Sequence, residues 1–287
     1  MEFFPDGDYV RLRSSVRGMY LHADEDGAGV SLSPRRAARA TLNAAWRVER
    51  IVRDGTTYVL LQGAAYGRYL AASFAPAPPG HLGQRVHARD HDVPEVDAIR
   101  WKAVRAEDGD EDDIVLRHVT NRLLRANGRY RPWYTGVTVD DYANLCTMMH
   151  WVVEAIPLRP PPLLLPPFLQ NQGGHGGLFW RRAEPVVEWR RIIRFVRADD
   201  LGNFNPLGWA TFQFNGRSVF LLRSELGHRL NAAFIFTITV CVKPGFYGRL
   251  TPLLGNLPCS EEPMDIFVLN TGSQAAEELR YPDVDAP

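Results

Sequence analysis

Eight histidines are the first residues of this 287-residue chain that could do chemistry, because only imidazole titrates near neutral pH unaided. Three of them, His81, His87 and His91, lie in "GHLGQRVHARDHD" beside Asp90 and Asp92, a donor set acceptable to a divalent metal. The flanking "PAPPG" and "DVPEVD" place this cluster in a long insertion loop, whereas metal ligands are normally held by regular elements with a supporting shell. No metal or other cofactor is expected, and a metal-dependent enzyme would have to rest on these three residues. His22 is aligned with Ala71 and Arg125 in the repeats described below, which points it outward.

Other catalytic arrangements are missing. Ser14, Ser15 and Ser218 have no spacing that ties them to a histidine and a carboxylate, and no Gly-rich phosphate loop, HExxH or GxSxG occurs. The acidic runs "DEDG" at 24–27 and "EDGDEDD" at 107–113 lack the distal Glu of an EF-hand and read as hairpin turns. A non-catalytic protein is the expectation.

Two stretches combine arginine with aromatic residues. "NRLLRANGRYRPWYTG" carries Arg122, Arg125, Arg129 and Arg131 among Tyr130, Trp133 and Tyr134, and Trp-Arg-Arg occurs at both 180–182 and 189–191. Such pairs suit protein hot spots and single-stranded nucleic acid alike, and they also form ordinary surface cover. Lys and Arg number 33, as do Asp and Glu, so no global field draws in nucleic acid or an anionic membrane. Protein contact is the preferred reading, with Arg122, Arg125, Arg129, Tyr130, Arg131 and Trp133 as candidate contact residues.

The elements that must position these residues come in repeats. "RGMYLHAD" at 17–24, "YGRYLAAS" at 66–73 and "NRLLRANG" at 121–128 each follow a short alternating strand ("YVRLRS", "YVLLQG", "IVLRHV"). Each unit closes on a tryptophan strand, at Trp46, Trp101 and Trp151. A unit of short strands at a period of about 50 residues cannot bury its apolar face alone, so three copies must share one core. Short strands, Gly, Asp and Asn turns and the absence of a helical period favour a closed all-β arrangement, a β-trefoil over 1–156. Leu12, Leu21, Trp46, Leu61, Leu70, Trp101, Leu116, Leu124 and Trp151 are expected to line it.

Residues 157–188 turn rich in Pro and Gly and read as a linker. Over 189–287 two strands, "RRIIRFVR" and "WATFQF", precede "SVFLLRSELGHRL", which puts Val219, Leu222, Leu226 and Leu230 on one helical face behind a Ser218 cap. "FIFTITVCV" then alternates, with Phe234, Phe236, Ile238, Val240 and Val242 on one side, and "MDIFVL" is a last buried strand. The order ββαββ predicts a small α+β module of the β-grasp, ubiquitin-like kind.

Cys146, Cys241 and Cys259 are too few and too scattered for a disulfide framework. No apolar run reaches the roughly 20 residues of a membrane span, and no signal-peptide pattern opens the sequence, so a cytoplasmic location without membrane contact is expected.

"MEFF", "VRLRSSVRGMYLHADEDG", "YGRYLAAS", "LLRANGRYRPWYTGVTVD" and "HWVVEAI" resemble the plant proteins known as domain of unknown function 569, whose trefoil is grouped with the fascin-like actin-cross-linking fold. "FNGRSVFLLRSELGHRL" through "LRYPDVDAP" is similar to the C-terminal module of some members, especially those of grasses. The resemblance implies a fascin-like trefoil and places actin filaments among the protein partners to consider. Fascin joins four trefoils where this chain has one, so cross-linking would need a second surface. A carbohydrate or small-ligand binding trefoil is the alternative, although Ala44, Ile99 and Met149 stand where ricin-like sugar-binding trefoils carry the Gln of Gln-x-Trp.

Overall fold

The computed structural model describes residues 3–33, 40–94, 96–128, 135–161, 189–232 and 234–286. They form two compact units, one of Met1–Pro160, Lys243–Thr251 and Arg280–Pro287, the other of Pro161–Val242 and Pro252–Leu279. The division is not sequential. Residues 243–251 and 280–287, counted with the C-terminal module from sequence, pack within the first unit.

Twelve strands build that unit: β1 (Tyr9–Ser14), β2 (Tyr20–Ala23), β3 (Val30–Ser33), β4 (Trp46–Arg53), β5 (Thr56–Gly63), β6 (Tyr69–Pro76), β7 (Gln84–Arg89), β8 (Trp101–Arg105), β9 (Asp113–His118), β10 (Arg122–Ala126), β11 (Val137–Asp141) and β12 (Trp151–Ile156). Strands β1, β4, β5, β8, β9 and β12 pair in a closed ring. The hairpins β2–β3, β6–β7 and β10–β11 supply the remaining strands, one per repeat. This is a β-trefoil. Closure removes the barrel's sheet edges, which is how short strands of this kind avoid edge-to-edge association.

The repeats are equivalent at the level of single bonds. Trp46 Nε1 donates to the Leu21 carbonyl (3.1 Å), Trp101 Nε1 to that of Leu70 (2.9 Å) and Trp151 Nε1 to that of Leu124 (3.0 Å). Every core residue expected from the sequence belongs to one buried cluster, each fully enclosed. Two residues before each echo aromatic or leucine the backbone turns left-handed, at Gly18 (φ 63°), Gly67 (φ 79°) and Asn121 (φ 67°). Glycine and asparagine bear that conformation at least cost, so the turn explains both residue types.

The insertion of the second repeat departs from the expectation of a loop. Gln84–Arg89 is strand β7, paired with β6, so His87 stands in a sheet while His81 and His91 flank it. Pro76 ends β6, and Pro78 and Pro79 mark the hairpin connection and not the whole segment.

The second unit carries β13 (Arg190–Arg197), β14 (Ala210–Asn215), α1 (Val219–Arg229), β15 (Ile238–Val242), β17 (Met264–Asn270) and α2 (Gln274–Glu277), with β16 (Thr251–Pro252) at the sheet edge in the order β14-β13-β17-β15-β16. β13 and β17 run parallel, while β13–β14 and β15–β17 are antiparallel, giving a mixed sheet crossed by one helix. Ser218 caps α1 by accepting from the Leu221 N–H, and Val219, Leu222 and Leu226 are buried against Ile193, Phe212, Val240 and Ile266. The expected strand over 234–242 starts only at Ile238. Residues Ile235–Thr237 form a 3-10 turn closed by Thr237 N–H and Oγ1 on the Phe234 carbonyl, which breaks the alternation and leaves Phe234 and Phe236 exposed.

Candidate functional site

The sequence-derived contact residues divide into three groups. Arg129, Tyr130, Arg131 and Trp133 lie outside the described residues. Arg122 pairs with Asp141 (3.7 Å) and donates to Gln84 Oε1, so its head is held across β10, β11 and β7. Arg125 is not a surface residue. Its guanidinium donates to Asp140 Oδ2 at 2.8 Å with both side chains 7% exposed, on the face of β10 opposite the core residues Leu124 and Ala126, where it also meets Met148 Sδ (3.9 Å). Sequence cannot foresee that placement, since the partner carboxylate is fifteen residues away.

The histidines do not assemble. Burial lowers the pKa of His81, His87 and His91, which keeps the imidazoles neutral and so able to bind a metal. Among the described residues, however, no three His, Cys, Asp or Glu side chains converge on one point. His91 instead packs edge-on to Tyr69 (5.6 Å between ring centres) and near Tyr247 (5.8 Å).

A serine, an aspartate and a histidine do meet at Ser15, Asp113 and His150. Ser15 Oγ donates to Asp113 Oδ1, and Asp113 Oδ2 lies 3.3 Å from His150 Nδ1. The carboxylate stands between the hydroxyl and the imidazole. A nucleophilic serine needs the imidazole as its neighbour to take the proton, so this order locks the residues together without activating Ser15. Cys241 is fully buried, and burial pushes its thiol pKa far up, which keeps it protonated and inert.

The second unit presents the more distinctive surface. Ile192 (45% exposed) and Arg194 share the face of β13 opposite Ile193 and Phe195. Arg194 lies over the Trp209 ring (5.2 Å) and pairs with Asp265 (3.4 Å). Trp209 in turn meets Phe204 (5.9 Å) and Phe267 (5.3 Å) edge to face. The connection between β13 and β14 exposes Leu201 and Leu207, the latter 93% exposed. Asp199 gives that connection its form by accepting from the N–H groups of Leu201 and Asn203. The Asn203 N–H is the chief reason that its carboxyl sits below the usual range. Sequence marked the arginines on β13 only through the Trp-Arg-Arg pattern, and the turn residues "GNFNPLGW" gave no sign that leucine would stand outermost.

Residues 1–154 match the beta-trefoil domain of unknown function called DUF569, and residues 189–269 match the DUF569 associated ubiquitin-like domain. The chain belongs to the DUF569 family. Solved structures of similar fold include a ricin B-like lectin of Macrolepiota procera in complex with lactose (20% identity, TM-score 0.41, covering 52% of this chain and 96% of that one). A Caenorhabditis elegans protein of unknown function (18% identity, TM-score 0.43, 53% and 97%) and the SDF2-like protein from Arabidopsis thaliana (17% identity, TM-score 0.42, 52% and 93%) are further examples. Among curated proteins, none matches the chain. No helix among the described residues of this DUF569 protein is long and apolar enough to cross a membrane.

Proposed function

We propose that this DUF569 protein is a non-catalytic binding protein that holds protein partners, with the ubiquitin-like unit as its main contact surface. Exposed Ile192 and Arg194 on β13, with Arg194 over the half-buried Trp209 ring and Leu207 exposed two residues before that tryptophan, carry the reading. Arginine stacked on tryptophan beside free aliphatic side chains is the composition of interface hot spots, where rigid apolar area is buried at small entropic cost. An isolated exposed leucine would be ordinary, but one nearly fully exposed two residues from the stacked tryptophan is not.

Actin filaments are one partner to test, on the strength of the fascin-like trefoil. Co-sedimentation of the whole chain with filamentous actin, at high and low speed and two salt concentrations, decides it. Saturable pelleting lost in Ile192→Asp and Leu207→Asp supports both the partner and the surface. No pelleting at either salt removes actin. The wider reading then stands or falls on quantitative affinity capture: a partner set identical for the parent chain and the double variant overturns it.

A further inference from the structure

The pseudo-threefold barrel repeats one outward face three times, and the copies differ in what covers them. The antiparallel pairs β4–β5, β8–β9 and β12–β1 are in matching register, with Trp46 opposite Gly63, Trp101 opposite His118 and Trp151 opposite Ser14. Three residues beyond each tryptophan the outward cross-strand pairs are Glu49 with Leu60, Val104 with Val115, and Glu154 with Arg11.

Two of these faces are occupied by later segments of the same unit. On β4–β5, Gln62 Nε2 donates to the Arg249 carbonyl (2.9 Å), the Arg249 N–H donates to Tyr69 Oη (3.2 Å), and Arg249 Nε lies 3.2 Å from Glu49. On β12–β1, Arg11 donates to the Val284 carbonyl (2.8 Å), Tyr9 Oη donates to the Arg280 carbonyl (3.3 Å), and Val284 packs with Tyr9 and Ile156. In each case a non-helical segment is held by side-chain donors that grip its backbone carbonyls.

Among the described residues the third face, on β8–β9, opens instead into a cavity of about 120 Å³ lined by Val104, Val115, Arg117, Tyr142, Leu145 and His150 among others, none from either covering segment. We propose that this face docks a non-helical peptide segment of a protein partner, with an aliphatic side chain in the cavity and an acidic residue beside it.

The wall chemistry argues the occupant. Val104 replaces the glutamates that the other two faces carry at this position, so the pocket is apolar where Glu49 would meet a cation. An engineered apolar cavity of roughly 150 Å³ holds a benzene molecule, so this one suits a single aliphatic side chain. Arg117 occupies the position of Gln62, the donor that grips the Arg249 carbonyl on the first face. Its guanidinium lies over the Tyr142 ring (5.6 Å), which holds an exposed charge within the lining. Arg105 and Arg117 outnumber Glu107 among the lining residues, which favours an acidic neighbour. His150 in the lining is held through Asp113 to Ser15, so little ordering is needed there on binding.

The test uses the whole chain and a fluorescein-labelled, positional-scanning library of hexapeptides, read by anisotropy. The expected result is a preference for Leu, Ile or Val next to Asp or Glu, with affinity lowered about tenfold or more in Arg117→Glu and in Val104→Trp, which fills the cavity from a partly exposed position. Circular dichroism establishes that the variants fold. Should Val104→Trp fail to fold, the exposed Arg117→Glu still decides, together with the parent chain's discrimination against peptides carrying Lys for the acid. No sequence preference, equal binding of Lys and Asp peptides, or a preference unchanged in the folded variants overturns the proposal.

Discussion

The Arg125 guanidinium and the Asp140 carboxylate form a buried ion pair at 2.8 Å, held between β10 and β11. Asp140 Oδ1 also accepts from the Asp141 N–H and from Asn144 Nδ2, so its second oxygen is satisfied as well. Breaking such a pair leaves one charge in low dielectric, and the loss exceeds what the intact pair contributes over apolar residues. Arg125→Ala is expected to destabilise the first unit by about 3–5 kcal/mol. The double variant Arg125→Met with Asp140→Leu should recover much of it, as measured by urea unfolding followed through tryptophan fluorescence.

The three indole-to-carbonyl bonds make a second, internally controlled prediction. Trp46→Phe, Trp101→Phe and Trp151→Phe each remove one donor and leave a buried carbonyl at Leu21, Leu70 or Leu124 unpaired. An unsatisfied buried acceptor costs about 1–3 kcal/mol, and the missing ring volume adds to it. Because the three environments repeat, the losses should agree closely. A replacement tolerated without loss at one site alone would show that the repeats do not share load equally.

What was legible in the sequence follows from how often the fold repeats itself. The leucines and tryptophans of the core recur at equivalent places, and each recurrence confirms the others, so the trefoil and its interior could be read before any coordinate. The ββαββ order survived for a similar reason, since helix α1 announces itself by its apolar spacing and its Ser218 cap. Features that occur once were hidden. Arg125 looks like the other arginines of its stretch until β11 brings Asp140 within hydrogen-bond reach. Strand β7 was masked by the prolines of its own turn. The 3-10 turn at Ile235–Thr237 leaves no mark on the alternation of "FIFTITVCV". The segments at 243–251 and 280–287 dock through backbone carbonyls, and a carbonyl carries no sequence signature. Val104 could have been noticed by setting it against Glu49 and Glu154 in register.

The covering segments give a third prediction. Deleting residues 280–287 uncovers Tyr9 and Ile156 and removes the Val284 carbonyl that accepts from Arg11, itself 2% exposed. Loss of a hydrogen bond to a buried charged group costs about 1.5–3 kcal/mol, and the lost apolar cover about 1–2 kcal/mol more. The tryptophan-detected unfolding midpoint should shift accordingly. Tyr9 offers a local readout: burial raises its phenol pKa to about 12, and exposure should bring it back toward 10.0 in an ultraviolet pH titration.

The last prediction concerns acid. His118 lies beneath the Trp101 ring edge (5.2 Å) with Nδ1 on Thr120 Oγ1 (2.8 Å) and Nε2 on the Asp97 carbonyl (2.9 Å). Burial lowers its pKa from 6.5 to about 4, with the Arg122 and Arg100 charges adding to the effect. Between those values the unfolded chain binds a proton that the folded chain refuses, so stability falls as pH falls through this window. The contribution is complete above 6.5 and lost by about 4, and it amounts to no more than about 3 kcal/mol. Burial lowers His87 and His91 in the same direction, which adds to the slope. Melting temperatures should therefore drop from pH 7 toward pH 4, and His118→Gln, which cannot titrate, should flatten the profile. An equal slope in that variant would move the acid sensitivity to the other histidines or to carboxylates such as Glu154. Burial opposes ionisation of Glu154, but hydrogen bonds from Arg13 and Tyr20 outweigh it and hold the carboxyl below its usual range. The variant profile separates the two sources, because a depressed carboxylate loses its contribution only below pH 5, whereas the histidine begins to lose its own near 6.5.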